Sequence, residues 1–186
     1  MRRLAALTFA FMALLSLATA PAQASPYADQ ESSVVVADDA PVLNASTAVK
    51  ASAKGLSLAA CNKVAKTAWV YIPPGWTIRC SYNMPKNTRG WTYKREIVIK
   101  AGMSYALTRS VAAHEQSHAW SLLKLTYAQM DWFSKQVGKK HFFDGGVYTM
   151  PAERWAATQA TCAGYPEANV KYQKVPCSLL TETLKH

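Results

Sequence analysis

The sequence predicts an α+β domain in which a small antiparallel sheet packs on a core of helices. Three observations lead to this prediction. Short apolar segments separated by turn residues occupy residues 76–100, which is the pattern of strands. From residue 105 onward the apolar residues recur with the period of a helix, and Gly or Pro marks the ends of the helical segments. Four cysteines between residues 61 and 177 suit a small domain with two disulfides.

The first 24 residues have the layout of a secretory signal. Arg2 and Arg3 precede an apolar run, and the small residues Ala22 and Ala24 stand before Ser25. The run is too short to cross a bilayer, and no later segment reaches the roughly 18 apolar residues that a membrane helix needs. We therefore expect cleavage after Ala24 and a secreted, extracellular protein without a membrane span.

Charge divides the remaining chain into two parts. Residues 25–60 carry a net charge of −2, whereas residues 61–186 contain 17 basic and 7 acidic residues. Residues 25–55 are small, polar and aperiodic, and we interpret them either as a flexible linker or as a propeptide that covers the active cleft before maturation. The basic part suits anionic cell-wall polymers as partners. Its Lys and Arg residues are spread singly, so nucleic acid is not expected as a partner.

Residues 56–186 form one predicted domain, which we expect to be a monomer. A helical pattern over residues 56–70 is terminated by Pro73. Strands are predicted at residues 76–82, 91–93 and 96–100, and they form the small antiparallel sheet. The apolar run from Ile97 to Ile99 suits burial on both faces. Helices that begin or end at capping and breaking residues follow at residues 105–125, 127–137, 151–163 and 178–185.

Cys61, Cys80, Cys162 and Cys177 allow three disulfide pairings. We favour Cys61 with Cys80 and Cys162 with Cys177, because each pair would staple one end of the domain. The sequence contains no Cys-x-x-Cys, so a metal site built from cysteines is not expected.

The segment His114-Glu115-Gln-Ser-His118 lies within the predicted helix at residues 105–125. Two histidines four residues apart lie on one face of a helix, so their nitrogens can converge on one tetrahedral zinc ion. Both share the apolar face of the helix, where a buried imidazole needs a partner. Glu115 projects beside the pair, in the position of a base rather than a ligand. Two core histidines with ordinary hydrogen bonds are the alternative interpretation.

Catalytic zinc takes three protein ligands and leaves a fourth position for water, so one more ligand is needed. Glu153 is the main candidate, because it lies on a separate predicted helix with alanines on its face, and small residues let two helices approach closely. The alternative is that Glu153 only favours the helix dipole at the N-terminal end of that helix. His141 and Asp144, in the loop before the helix, are the fallback ligands.

A strand, a His-Glu-x-x-His helix, a connecting helix and a downstream helix with Glu together resemble the zincin metallopeptidases, in particular the branch whose third zinc ligand is Glu. The resemblance covers about residues 76–163, and its specific motif is His114-Glu115-x-x-His118. It implies that His114, His118 and Glu153 bind zinc and that Glu115 activates the bound water.

Two positions depart from the family pattern. Ser117 stands before the second histidine, where Gly is frequent, and Ala157 stands four residues after Glu153, where Asp is frequent. The second departure removes a carboxylate that would hydrogen-bond a metal ligand.

The implied reaction is hydrolysis of a bond in a peptide or protein substrate. Zinc lowers the pKa of its water and polarises the carbonyl, while Glu115 carries the proton to the leaving amine. By the same resemblance, the strand at residues 96–100 would be the edge on which an extended peptide lies. Tyr148, Arg154 and His141 are candidates for stabilising the oxyanion, and we select Tyr148 as the second catalytic residue beside Glu115.

Two other functions compete with a peptidase of general type. The basic surface and the missing Asp favour a zincin-like binding or wall-associated module with weak or no catalysis. A secreted toxin or effector peptidase with a single target is the other alternative, and it would differ by failing on generic protein substrates.

Overall fold

The computed structural model describes residues 55–68, 72–165 and 171–186. The predicted signal peptide, residues 1–24, lies outside these ranges, as does the predicted linker or propeptide except for Gly55. Both stay predictions, and so does the proposed domain boundary at residue 56. The last two residues of the first predicted helix, residues 69–70, also lie outside the described ranges.

The described residues form five helices and a three-stranded sheet, which confirms the predicted α+β class. The four helices that follow the sheet lie within two residues of their predicted bounds. In chain order the elements are α1 (Leu58–Thr67), β1 (Thr77–Ser81), β2 (Gly90–Tyr93), β3 (Glu96–Lys100), α2 (Tyr105–Lys124), α3 (Tyr127–Gln136), α4 (Pro151–Cys162) and α5 (Cys177–Thr183).

The sheet has the strand order β1-β3-β2, with β3 antiparallel to β2 but parallel to β1. The prediction of an antiparallel sheet is therefore wrong for the β1–β3 pair. Lys94 and Arg95, both with positive φ, form the two-residue turn of the β2–β3 hairpin. The apolar strand β3 takes the central position, where Ile97, Val98 and Ile99 are buried on both faces. The chain reverses at β2 and again at β3, so β1 and β3 run in the same direction.

The central position of β3 also corrects the predicted substrate edge. Residues 96–100 are paired with β1 on one side and with β2 on the other, so no extended peptide can add there. The edges of the described sheet belong to β1 and β2. Of these two strands, β2 packs directly against α2, the helix that carries the His-Glu-x-x-His motif.

Helix α2 is central to the fold, because it packs against α1 and the sheet on one side and against α4 on the other. Its N-terminus is capped by Ser104, whose hydroxyl accepts a hydrogen bond from a first-turn amide at 3.3 Å. Toward the sheet, Val111 and Ala112 join Ile97 and Ile99 in one apolar core. The motif helix is thus held between two layers.

A second apolar core lies between α3, α4 and the loop that joins them. Phe133, Phe142 and Trp155 are its largest buried members. The predicted capping box at the start of α3 is confirmed, because Thr126 accepts a hydrogen bond from the Gln129 amide and the Gln129 side chain accepts one from the Thr126 amide. This core fixes α4 beside α2.

Both favoured disulfides are present. Cys61–Cys80 joins α1 to β1, and Cys162–Cys177 joins the end of α4 to the start of α5. By chain entropy, each bridge stabilises the fold by about 3 kcal/mol. Among the residues that the structure describes, no helix is both long and apolar enough to cross a membrane.

Candidate metal centre

Helices α2 and α4 bring the three predicted ligands together. His114 Nε2 lies 3.0 Å from His118 Nε2 and 3.0 Å from Glu153 Oε2. His118 Nε2 lies 3.5 Å from the same carboxylate oxygen. Within the described residues, these three side chains form a group whose ligand atoms all lie within 4.8 Å of one another.

The donor atoms have the spacing of a metal site. Ligands at about 2.0–2.1 Å from a tetrahedral zinc ion are separated from each other by about 3.3 Å. The three observed separations, 3.0, 3.0 and 3.5 Å, lie close to that value. Two imidazoles and one carboxylate are also a ligand set of catalytic zinc sites. The group therefore fits a metal ion, although its spacing does not identify the element.

Short side chains on α4 explain how Glu153 reaches the histidines. Ala156, Ala157 and Ala160 are fully buried on α4, which packs closely on α2. The absence of bulky side chains lets the two helix axes approach, and a Glu side chain is then long enough to reach the partner helix. From the sequence we expected these alanines to let α4 approach another helix closely, and the packing of α4 on α2 agrees with that expectation.

The site is shielded from solvent, and its charges interact strongly. His114, His118 and Glu153 are each no more than 2 % exposed. Burial, the largest single effect, would raise the pKa of Glu153, but the charge of His118 and the hydrogen bond with His114 together lower it. The net effect is a lowered pKa, so the Glu153 carboxylate stays ionised beside the two imidazoles.

Glu115 lies beside the ligands on α2 but turns toward strand β2. It is fully buried, and its Oε2 accepts a hydrogen bond of 2.7 Å from Thr92 Oγ1. A Cβ atom at Gly90 would stand 2.7 Å from Glu115 Oε1, so the strand leaves space for the carboxylate at that position. Neither Thr92 nor Gly90 was identified from the sequence. The sequence feature that could have linked Thr92 to Gly90 is their two-residue spacing, because residues two apart in a strand lie on the same face.

Tyr172 is a site residue that the sequence interpretation missed. Its ring lies 5.0 Å from the ring of His114, and the ring of Tyr148 lies 5.5 Å beyond it. Tyr172 is thus the tyrosine next to His114, and Tyr148, which was chosen from the sequence, lies one ring further away. Tyr172 also packs on Ala157, the position at which the zincin pattern led us to note a missing Asp.

Contacts with α4 hold the backbone that follows Tyr172. Arg154 Nε donates a hydrogen bond to the Gln173 carbonyl at 2.7 Å, and the Val175 amide donates to Thr158 Oγ1 at 3.0 Å. Arg154 was a candidate for stabilising the oxyanion, but its guanidinium also donates to the Val137 carbonyl. It supports the loop around Tyr172 in this arrangement.

The fallback ligands do not join the group. The His141 amide donates a hydrogen bond to Asp144 Oδ2 at 2.8 Å, and the His141 ring lies 4.0 Å from Asp131 Oδ1. His141 is exposed, unlike the buried histidines on α2. These contacts account for His141 and Asp144 as parts of the loop between α3 and α4.

Comparison with known proteins gives no relative: no family model, curated protein or solved structure matches this chain. The functional assignment therefore depends on the chemistry of the site itself.

Proposed function

We propose that this chain is a secreted zinc-dependent peptidase. The observation that carries the proposal is the convergence of His114 Nε2, His118 Nε2 and Glu153 Oε2, with Glu115 following the first ligand on the same helix. Three protein ligands leave a fourth position of a tetrahedral ion for water, as catalytic zinc sites do. Structural zinc sites, in contrast, are commonly closed by four protein ligands.

The side chains of the site have separate roles in the proposed hydrolysis. A zinc ion held by the three ligands would polarise the scissile carbonyl and lower the pKa of a water molecule. Glu115 accepts the proton of the attacking water and passes it to the amine that leaves. Tyr172, whose ring contacts His114, replaces Tyr148 as our first choice for stabilising negative charge on the carbonyl oxygen.

Strand β2 is the edge that we assign to the substrate. The Lys100 amide donates to the Arg89 carbonyl at 2.8 Å, so the hydrogen-bonded pairs with β3 fall at residues 89, 91 and 93. The backbone groups of Gly90 and Thr92 then point away from β3, toward the side of β2 on which the described residues place no strand. An extended peptide can pair with them there, next to Glu115.

The proposed location agrees with the two disulfides, which are typical of proteins in oxidising compartments. The basic composition of the chain, with a net charge of +10, favours anionic cell-wall polymers as its surroundings.

A zincin-like binding module with weak or no catalysis is the second candidate. The observation in its favour is that all three ligands and Glu115 are at most 2 % exposed, so the site is closed to solvent in this conformation. Such a module would hold its metal for stability. It would bind anionic wall polymers whether or not a chelator is present.

Metal analysis and peptide hydrolysis of the same preparation test the proposal. We expect one zinc per chain and cleavage of peptides from a mixed library. Glu115→Gln should abolish cleavage and keep the zinc, whereas the exposed control Glu182→Gln should keep both. A Glu115→Gln protein that still cleaves would refute the assigned base. A wild-type protein that binds zinc and wall polymer but cleaves no peptide would favour the binding module.

A further inference from the structure

Thr92 holds the carboxylate of Glu115 from the neighbouring strand. Its Oγ1 donates a hydrogen bond to Glu115 Oε2 at 2.7 Å and lies 2.9 Å from the Glu115 carbonyl oxygen. We propose that Thr92 is a positioning residue, which fixes the direction of the Glu115 carboxylate toward the reacting water. This inference rests on the proposed function, in which Glu115 is the base.

Burial makes this hydrogen bond effective. Thr92 is 2 % exposed and Glu115 is fully buried, so bulk water does not compete for the carboxylate oxygen. A hydrogen bond between buried groups is stronger than one in water, because the local polarity is low. The Thr92 hydroxyl therefore favours one orientation of the Glu115 side chain.

The backbone of β2 in turn fixes the hydroxyl. Thr92 pairs with Ile97 on the central strand β3, which is held on both sides. A β-branched side chain has few allowed rotamers, so the direction of Oγ1 follows from the position of the strand. The pairing of β2 with β3 therefore determines where the Thr92 hydroxyl meets the carboxylate of Glu115, the proposed base.

Gly90 provides an independent second contact. It lies two residues before Thr92 on the same face of β2, and a Cβ atom there would stand 2.7 Å from Glu115 Oε1 and 2.8 Å from Glu115 Cγ. The strand thus offers a donor to one carboxylate oxygen and close-fitting backbone to the other. Gly90 and Thr92, two successive residues on the inner face of β2, thus both fit closely against the Glu115 side chain.

The position of Thr92 also links substrate and base. Its side chain faces Glu115, while its backbone groups face the outer side of β2, the edge assigned to the peptide. A peptide bound on β2 is consequently held at a fixed distance from the base. Loss of the hydroxyl should therefore lower kcat, because the base is misdirected, and leave KM nearly unchanged, because the edge remains.

Thr92→Val and Thr92→Ser test the proposal. Val keeps the shape and removes the donor, whereas Ser keeps the hydroxyl. We expect Thr92→Val to lose roughly 10- to 100-fold in kcat with zinc content unchanged, since misplacement of a catalytic group by about 1 Å has an effect of this size. Thr92→Ser should recover most of the wild-type kcat. A Thr92→Val enzyme with wild-type kcat, or a Ser variant as impaired as Val, would overturn the positioning role.

Crystal structures of the zinc-loaded wild type and of Thr92→Val separate this inference from the proposed function. We expect the Glu115 carboxylate to leave its wild-type orientation in the variant; an unchanged orientation overturns the inference. If the wild type proves inactive on peptides, the proposed function fails, while the orientation of Glu115 still decides the role of Thr92. Should Thr92→Val not fold, Thr92→Ala removes the same hydroxyl without adding a branched side chain, and the same measurements apply.

Discussion

Glu153 Oε2 lies 3.0 Å from His114 Nε2, although 39 residues separate the two along the chain. The two histidines meet because they are four residues apart on one helix, but Glu153 meets them only because α4 packs on α2 through buried alanines. The third donor thus depends on the tertiary fold. Metal affinity should respond to this carboxylate more than to any exposed acid.

Replacement of Glu153 by Gln should lower zinc affinity by more than about 100-fold, because even groups that only hydrogen-bond a ligand contribute 10- to 100-fold. Gln keeps the volume of the side chain and removes the charge that neutralises the metal. Zinc titration by calorimetry measures the affinity directly. In a thermal-shift experiment, zinc should raise the Tm of the wild type, because a ligand that binds only the native state stabilises it, and should raise that of the variant less.

The control is Glu182→Gln, which changes an exposed Glu paired with Lys185 on the surface. Its zinc affinity should equal that of the wild type. Equal affinities for Glu153→Gln and Glu182→Gln would mean that the carboxylate of α4 is not a ligand.

The sequence was sufficient to predict the parts of the site that depend on local geometry. The helical period places His114 and His118 on the same face, and the alanines after Glu153 identify a helix that can pack closely. The disulfide pairing could also be predicted, since each pair joins cysteines that are close in sequence. These features all follow from spacing along the chain.

The order of the strands and the surroundings of Glu115 could not be predicted in this way. The pairing of β3 with both β1 and β2 is decided by which strand buries most apolar surface, and spacing does not show the partner of a strand. Thr92 and Tyr172 contact the site across the tertiary fold from a strand and from a loop. A single Thr or Tyr in such a segment leaves no periodic signal.

The close approach of Gly90 to Glu115 makes Gly90→Ala a sensitive test of the strand position. The added methyl group would stand 2.7 Å from both Glu115 Oε1 and Val111 Cγ1, so β2 or Glu115 must shift. We expect a loss of about 1–3 kcal/mol in the free energy of unfolding, as for other overpacked sites, and a lower kcat with zinc retained. Denaturant unfolding and peptide hydrolysis measure the two effects.

The chain offers a matched control for this substitution. A Cβ atom at Gly146 would meet no heavy atom within 4 Å, so Gly146→Ala adds the same methyl group in open space. Gly146→Ala should retain the stability and kcat of the wild type. If Gly90→Ala has the same stability and kcat as Gly146→Ala, then β2 does not lie as close to Glu115 as the structure indicates.

Tyr172→Phe distinguishes the two tyrosines near the histidines. The variant keeps the ring that lies 5.0 Å from His114 and removes the hydroxyl. If that hydroxyl stabilises charge on the carbonyl oxygen, kcat should fall by about 100-fold or more, the usual effect of losing one such donor. Tyr148→Phe, one ring further away, should change kcat far less. The reverse order of effects would return the role to Tyr148, our choice from the sequence.

The two disulfides differ in their relation to the site, and this difference can be measured. Cys162–Cys177 closes the segment that contains Tyr172, whereas Cys61–Cys80 joins α1 to β1. Their sequence separations, 15 and 19 residues, predict a similar entropic stabilisation of about 3 kcal/mol each. Replacing either pair by Ser should therefore lower stability by similar amounts in denaturant unfolding.

Only the loss of Cys162–Cys177 should also lower kcat of the folded protein, because Tyr172 would no longer be held against His114 by a segment closed at both ends. Hydrolysis should be measured at a temperature where both double variants are folded, as judged by near-ultraviolet circular dichroism. Equal kcat values for the two double variants would mean that contacts with α4, such as Arg154 to the Gln173 carbonyl, are sufficient to hold Tyr172 in place. A selective loss for Cys162–Cys177 would identify that disulfide as the constraint that keeps the aromatic ring at the candidate metal centre.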